Sequence, residues 1–330
     1  MNVKALTFRL ALFFCSIAFC CPANELSSAE LNKVRQLKIT VLSTMLADGA
    51  EYGEWGFAAL VEVDGHKILF DTGAHSDLVL KNSQSLKIDL GSIPDVILSH
   101  FHSDHVGGLL ALRDTVLREK KPEALQRAHV GKGIFYPRLS PPSTEEDNPM
   151  IALKPAYEKT GGVFVSYDKP TELFPGVWLT GPVPRKYPEH NWSGDEKLKS
   201  PDGLVVEDNL PEDMAMIFNT DRGLVVLTGC GHAGVVNIVD YARSFVRAAP
   251  VYALIGGIHL FSAKDEVLKW TAEKLKGFEV KSFLGAHCTG IETVYRFRRD
   301  LDLDRAHAVV GAVGASFSLD GGIDPRNIAR

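Results

Sequence analysis

The chain has 330 residues, 45% of them apolar and 23% charged, with a formal net charge of −5. This is the composition of a globular protein that can bury a real core, as one large domain or two ordinary ones. The acidic balance, the lack of a basic stretch and the lack of length for an added domain argue against a nuclease or other phosphate-backbone binder.

The chain opens with Lys4 and Arg9 ahead of the uncharged run "LALFFCSIAFCC", Leu10 to Cys21, and the small residue Ala23 follows. That order predicts a secretory signal peptide over 1–23 and an exported product, periplasmic or secreted. A bilayer-spanning helix needs about 20 apolar residues, so no stable membrane span is expected after processing. Cys20 and Cys21 offer lipoprotein anchoring as a second route, although Phe19 is a poor small-residue match before Cys20. Cleavage would remove two positive charges, leaving −7, and three of the five cysteines, leaving Cys230 and Cys288. A linker over 24–36, one domain over 37–320 and a tail over 321–330 complete the expected organisation.

Within the domain, "LKITVLS" predicts a first strand, and "GFAALVEVDGHKILFDTG" a hairpin turning on Asp64-Gly65 and ending at Asp71. A short helix over "SDLVLKNSQSLKI", a buried strand "DVILS" and a helix over "GGLLALRDTVLREKK" follow. Residues 121–212, rich in Pro and polar stretches, read as loops and short strands over a site. Regularity returns with the hairpin "MAMIFNTDRGLVVLTGC" and the helix "GVVNIVDYARSFV". The strand "VYALIGG", the helix "AKDEVLKWTAEKLKG", the strand "VKSFLGA", the helix "IETVYRFRRDL" and a final strand "AHAVVGAVGASF" follow. Two halves, each a hairpin followed by alternating strand and helix, predict a layered α/β architecture with two mixed sheets inside and helices outside.

The chemistry concentrates in "HFHSDH", His100 to His105, directly after the strand "DVILS". His100 and His102 share one side of an extended backbone, and Phe101 faces the other way. Asp104 and His105 follow at the turn, where Gly107 and Gly108 are expected to let backbone approach ions closely. Imidazoles with a carboxylate at a strand end form a metal-ligand set, with enough donors here for parts of two sites. Cys230 and Cys288 remain open at this point, as a structural disulfide or as a thiolate ligand at Cys230 with Cys288 packed on the opposite face. His66 and His75 read as ordinary surface residues.

"HFHSDH" followed by Gly-Gly resembles the signature of the metallo-β-lactamase superfamily, and the resemblance extends over most of residues 37–318. It implies a four-layer αββα sandwich. It implies further that Asp71 in "LFDTG" supports the metal loop, that Cys230 in "GLVVLTGC" stands where the family usually has a bridging Asp, and that His287 in "GAHCTG" is the last ligand. "TGCGHAG", "IGGIHL" and "HCTG" are similar to the branch named for 7,8-dihydropterin-6-methyl-4-(ribofuranosyl)aminobenzene-5'-phosphate synthase. The family has a further His ligand where this chain has Asn209. His232 is the expected replacement, with His190 and His129 as alternatives.

The expected centre therefore places His100, His102 and His232 on one metal, and Asp104, His105 and His287 on the other, with Cys230 near both and Asp71 behind. Two zinc ions per chain suit these donors, and iron or manganese is also compatible. Asp104 would also orient the reacting water, and His259 would bind substrate, protonate a leaving group or brace a ligand. The expected function is an exported metal-dependent hydrolase acting through metal-activated water on a small-molecule ester, lactone, amide or phosphoester. The alternatives are a synthase condensing a pterin with an aryl phosphate, and a non-catalytic metal-binding or ligand-sensing protein.

Overall fold

The two hairpins seed two sheets, because each pairs neighbouring apolar strands through a tight turn. Ala58–Val63 and His66–Phe70 join through Asp64 and Gly65, both at positive φ (44° and 87°), as a two-residue hairpin requires. Met216–Thr220 pairs in the same antiparallel manner with Gly223–Thr228. The computed structural model describes residues 32–143, 145–192 and 195–329, so the expected signal peptide and most of the linker lie outside the described residues.

The first sheet has eight strands, in the order Gly322–Asp324, Ser316–Ser318, Leu37–Ser43, Ala58–Val63, His66–Phe70, Asp95–Leu98, Arg127–Gly131 and Val163–Tyr167. Its first five strands are antiparallel, and from His66–Phe70 onward neighbours run parallel. The second sheet has seven, in the order Ala308–Val310, Phe283–Gly285, Val251–Gly256, Gly223–Thr228, Met216–Thr220, Val177–Leu179 and Thr171–Phe174. The first four of these are parallel.

Strand alternation divides the core into three apolar layers. Val225 and Leu227 meet Ile39, Val61, Phe70 and Phe317 between the sheets. Their neighbours Leu224 and Val226 face the helices Val235–Phe245, Asp265–Gly277 and Ile291–Asp300 through Val239, Leu275 and Phe297. On the far side, Leu69, Val96 and Val130 meet Val79, Leu112 and Tyr157 from the helices Leu78–Ser85, Leu109–Arg118 and Pro149–Lys159. Helix, sheet, sheet, helix is the expected four-layer sandwich.

Three expectations need correction. The segment "AHAVVGAVGASF" is two strands: Ala308–Val310 ends in the second sheet, Gly314 turns at φ 81°, and Ser316–Ser318 enters the first. Residues 121–212 hold the expected short strands, but those strands extend both main sheets and a helix lies among them. They supply two strands of the first sheet, two of the second, the helix Pro149–Lys159 capped by Asn148, and a small sheet of Val205–Glu207, Lys197–Lys199 and Arg138–Leu139. Arg127–Gly131 escaped a pattern reading because its polar side chains are satisfied internally: Arg127 and His129 both bond the buried carboxylate of Asp95, at 2.7–2.8 Å. The stretch 321–330 is not a mere tail, since Gly322–Asp324 pairs with Ser316–Ser318 as the edge of the first sheet.

Candidate metal centre

The parallel strands Asp95–Leu98, Gly223–Thr228, Val251–Gly256 and Phe283–Gly285 are each followed directly by candidate ligands, the position where open α/β sheets place their sites. The turn after Asp95–Leu98 carries His100, His102, Asp104 and His105, and the buried carboxylate of Asp71 holds it. Asp71 Oδ1 accepts the Ser99 backbone N–H at 2.7 Å, and Oδ2 accepts both the Ser99 hydroxyl and His105 Nδ1 at 2.7 Å. Gly107 and Gly108 are needed for a different close approach from the one expected. A Cβ at either would collide with the backbone carbonyl of Ala74 or Thr72, so they seat the turn on the chain and not on an ion.

The second sheet brings the rest. Cys230 and His232 follow Gly223–Thr228, His259 follows Val251–Gly256 at φ 48°, and His287 follows Phe283–Gly285, also at φ 48°. The His287 N–H donates to Thr44 Oγ1 at 2.9 Å. Gly229 joins the halves, because a Cβ there would collide with Ser99 Oγ and lie 2.7 Å from Asp71 Oδ2.

Donor atoms of several sets converge to within 4.8 Å of one another: His100, His102 and His232; Asp104, His105 and His287; His100, His105 and Cys230; Cys230, His232 and His259. His105 Nε2 lies 3.1 Å from Cys230 Sγ and 3.3 Å from His287 Nε2, and His287 Nε2 is 3.2 Å from Asp104 Oδ2. His129 and His190 are not among them. His129 is spent on Asp95 and Tyr167, each at 2.8 Å. His190 is exposed, bonded to Glu207 at 2.9 Å and stacked on Trp192. Asn209, in the place of the family's His, has its backbone carbonyl bonded to Arg185 at 2.6 Å. His75 pairs with Glu54, and His66 stacks on Phe174, both away from the centre.

Cys288 departs from the sequence reading. Its Sγ lies 3.2 Å from Cys230 Sγ and accepts the His259 N–H at 3.3 Å, so it shares the site instead of the opposite face. His287–Thr289 forms a helical turn, and strand alternation does not apply there. Both cysteines are free thiols, so the disulfide reading falls. The adjacency to His287 was the only sequence signal.

Burial governs the electrostatics. It holds His100 and His232 neutral, well below the usual imidazole range, and pushes His102 down to about 3. Burial works against the charged ring of His105 as well, but Asp104 and Asp71 more than offset it and raise His105 to about 9. Burial also disfavours the Asp104 carboxylate, yet His105 and His287 hold it well below the usual range.

The tautomers follow from the outer partners. His100 Nδ1 faces the Ser99 hydroxyl at 2.9 Å, which itself donates to Asp71, so Nδ1 carries the proton. His105 Nδ1 donates to Asp71, and His232 Nδ1 donates to the Asn191 carbonyl. His100 and His232 are left with an Nε2 lone pair turned inward, and His232 Nε2, buried, has no hydrogen-bond partner, whereas the charged His105 ring would give up its Nε2 proton on binding a cation. His100 Nε2 and His102 Nδ1 face each other at 3.0 Å. Unprotonated nitrogens converging in a buried space fit a soft or borderline cation.

A cavity of about 310 Å³ opens beside His102 and Asp104, lined in part by Phe101, Arg138, Asp147 and Glu196. Arg138 is itself buried and held by Asp208 and Glu212, each at 2.6 Å.

Comparison with known proteins gives a consistent picture. The family profile of the metallo-β-lactamase superfamily matches residues 56–206. A curated protein of Methanocaldococcus jannaschii, 7,8-dihydropterin-6-methyl-4-(β-D-ribofuranosyl)-aminobenzene-5'-phosphate synthase, is 31% identical over 84% of this chain and 97% of its own. A second, uncharacterised protein of the same organism is 27% identical over 74% of this chain and 87% of its own. Among solved structures, a metal-dependent hydrolase of the β-lactamase superfamily superposes with a TM-score of 0.64 and 29% identity, covering 80% of this chain and 93% of that one. Zinc-bound PqqB from Methylobacterium extorquens shares the fold at a TM-score of 0.51 and 14% identity, covering 86% of this chain and all of that one.

Proposed function

This chain belongs to the metallo-β-lactamase superfamily, and from that premise we propose that it is a two-metal enzyme of the dihydropterin-synthase kind, joining a pterin to an aryl phosphate. The observation that carries the metal centre is the set of inward Nε2 atoms on His100, His105 and His232, each fixed by a partner on the ring's other nitrogen. The reaction class rests on the archaeal synthase, matched over 97% of its length.

In this reading His100, His102 and His232 hold one zinc ion, and Asp104, His105 and His287 hold the second, with Cys230 within reach of both. Bound zinc would supply Lewis acidity, polarising a carbonyl or phosphoryl oxygen and lowering the pKa of water to about 7. Asp71 fixes the His105 ring in place and raises its basicity as a ligand, and Ser99 relays the same carboxylate to His100. His259, with a buried Nδ1 that has no partner, stands ready to hold or pass a proton beside Cys230 and His232.

Hydrolysis is the second reading. The solved metal-dependent hydrolase at 29% identity favours it, as does the signal-like N-terminus, because an exported protein suits degradation better than cofactor synthesis. Zinc-loaded protein supplied with a dihydropterin bearing a leaving group on its 6-methyl carbon and with a ribofuranosyl-aminobenzene 5'-phosphate should form the bond from that carbon to the aryl amine, releasing the leaving group and the amine proton. Release of acid or phosphate from lactones and phosphoesters, without condensation, would replace the synthase by the hydrolase. Cell fractionation tests export, with the protein expected outside the cytoplasm.

A further inference from the structure

Two large aromatic side chains stand half in water at the edge of the buried histidines. Trp55 is 46% exposed and Phe261 49% exposed, and their rings meet edge to face with centroids 5.2 Å apart. Each also touches the centre. The Trp55 ring lies 5.0 Å from the fully buried His287, and the Phe261 ring lies 5.4 Å from His259.

Neither ring hangs on a loose loop. Glu54, just before Trp55, donates its N–H to the Thr44 carbonyl at 2.9 Å, and its carboxylate accepts from Ser43 Oγ, the Ala74 N–H, the His75 backbone N–H and His75 Nδ1 at 2.6–3.1 Å. Phe57, two residues after Trp55, donates its N–H to the Asp104 carbonyl at 3.1 Å, which ties the loop to a candidate ligand. The Phe261 N–H donates to the Cys288 carbonyl at 3.1 Å. The chain therefore holds two apolar rings in water on pinned backbone, beside a buried polar cluster. Aromatic walls joined to a few fixed polar groups are the composition of a small-molecule site.

We propose that Trp55 and Phe261 form a corner that receives the planar ring of the substrate, stacking on one face and meeting one edge. The pair thereby determines specificity for an aromatic or heteroaromatic substrate over an aliphatic one. An edge-to-face pair leaves one indole or phenyl face free, and a flat ring fills it with both dispersion and quadrupole attraction, whereas a saturated ring gains only apolar contact. The proposal rests on the reading above in one respect, that the substrate of this centre carries a pterin or aryl ring.

Fluorescence titration of the zinc-loaded full chain with pterin tests it, with inorganic phosphate as the ringless control. Trp55→Ala and Phe261→Ala should each weaken pterin binding by about ten-fold, and Trp55→Phe should restore most of it. Zinc content and phosphate binding should stay as in the parent protein. Pterin affinity unchanged in both alanine variants, or no pterin binding by the parent, overturns the corner. So does an effect of the variants on self-association alone, which would make the pair a contact between copies. The two readings fail separately: pterin binding that depends on Trp55 without condensation removes the synthase and keeps the corner, and condensation with binding insensitive to both rings does the reverse.

Discussion

The turns at residues 99–108 and 229–235 occupy equivalent places, one after a parallel strand of each sheet and each leading into a helix. Both lean on buried carboxylates, but in different ways. In the first, Asp71 bonds the His105 ring as well as Ser99, so the same group shapes the turn and orients a candidate ligand. In the second, the carboxylates reach only backbone: Asp213 accepts the Ala233 N–H at 2.9 Å, and Glu189 accepts those of Val236 and Asn237 at 3.1 and 2.8 Å. The first turn is thus built for chemistry throughout, and the second is a helix start that carries two donors. Losing support in the first should cost metal before fold, and in the second fold before metal.

The largest effect is expected from His105→Ala, which removes the ring shared by Asp71, Cys230 and His287. One zinc per chain should be lost and turnover should fall by more than the roughly 100-fold typical of an outer-partner change, as read by elemental analysis and initial rates. Asp71→Asn should weaken zinc binding by about 10- to 100-fold, since the His105 ring loses its anionic partner; a chelator competition measures it. Gly229→Ala presses a methyl group against Ser99 and Asp71 where the turns meet, and should cost about 1–3 kcal/mol in denaturant unfolding. If Gly229→Ala melted like the parent, the contact between the turns would not be structural.

The smallest effect separates the turns by pH. Burial raises Glu189 from 4.5 to about 7, despite the backbone N–H groups it accepts. Between those values the folded chain keeps a proton that the unfolded chain has lost, so this group's stabilisation is complete below 4.5 and declines as pH rises towards 7. Glu189→Gln should flatten the pH dependence of the melting temperature over that window and leave zinc content unchanged. Loss of zinc in this variant would erase the contrast between the turns.

Much of this was legible from the chain alone because it is local. Asp64-Gly65 announces a hairpin by its turn chemistry, and "HFHSDH" after a buried strand announces a donor cluster. The segment 121–212 was opaque for a physical reason: its strand Arg127–Gly131 is short and buries His129 as well as Ala128 and Val130, and the Asp95 carboxylate that satisfies Arg127 and His129 lies on another strand. Trp55 gave no signal in "YGEWGF", since the contact that gives it meaning is with His287, 232 positions away.

By itself, the sequence determined the donor types, the first half of the centre and the hairpin-led order of the two sheets, all set by neighbours along the chain. Only the tertiary structure decided that His232 and not His129 or His190 lies beside His100 and His102, and that Cys288 turns towards Cys230. Those outcomes depend on where four strand ends meet and on two residues, His259 and His287, held at positive φ, and no local pattern encodes either.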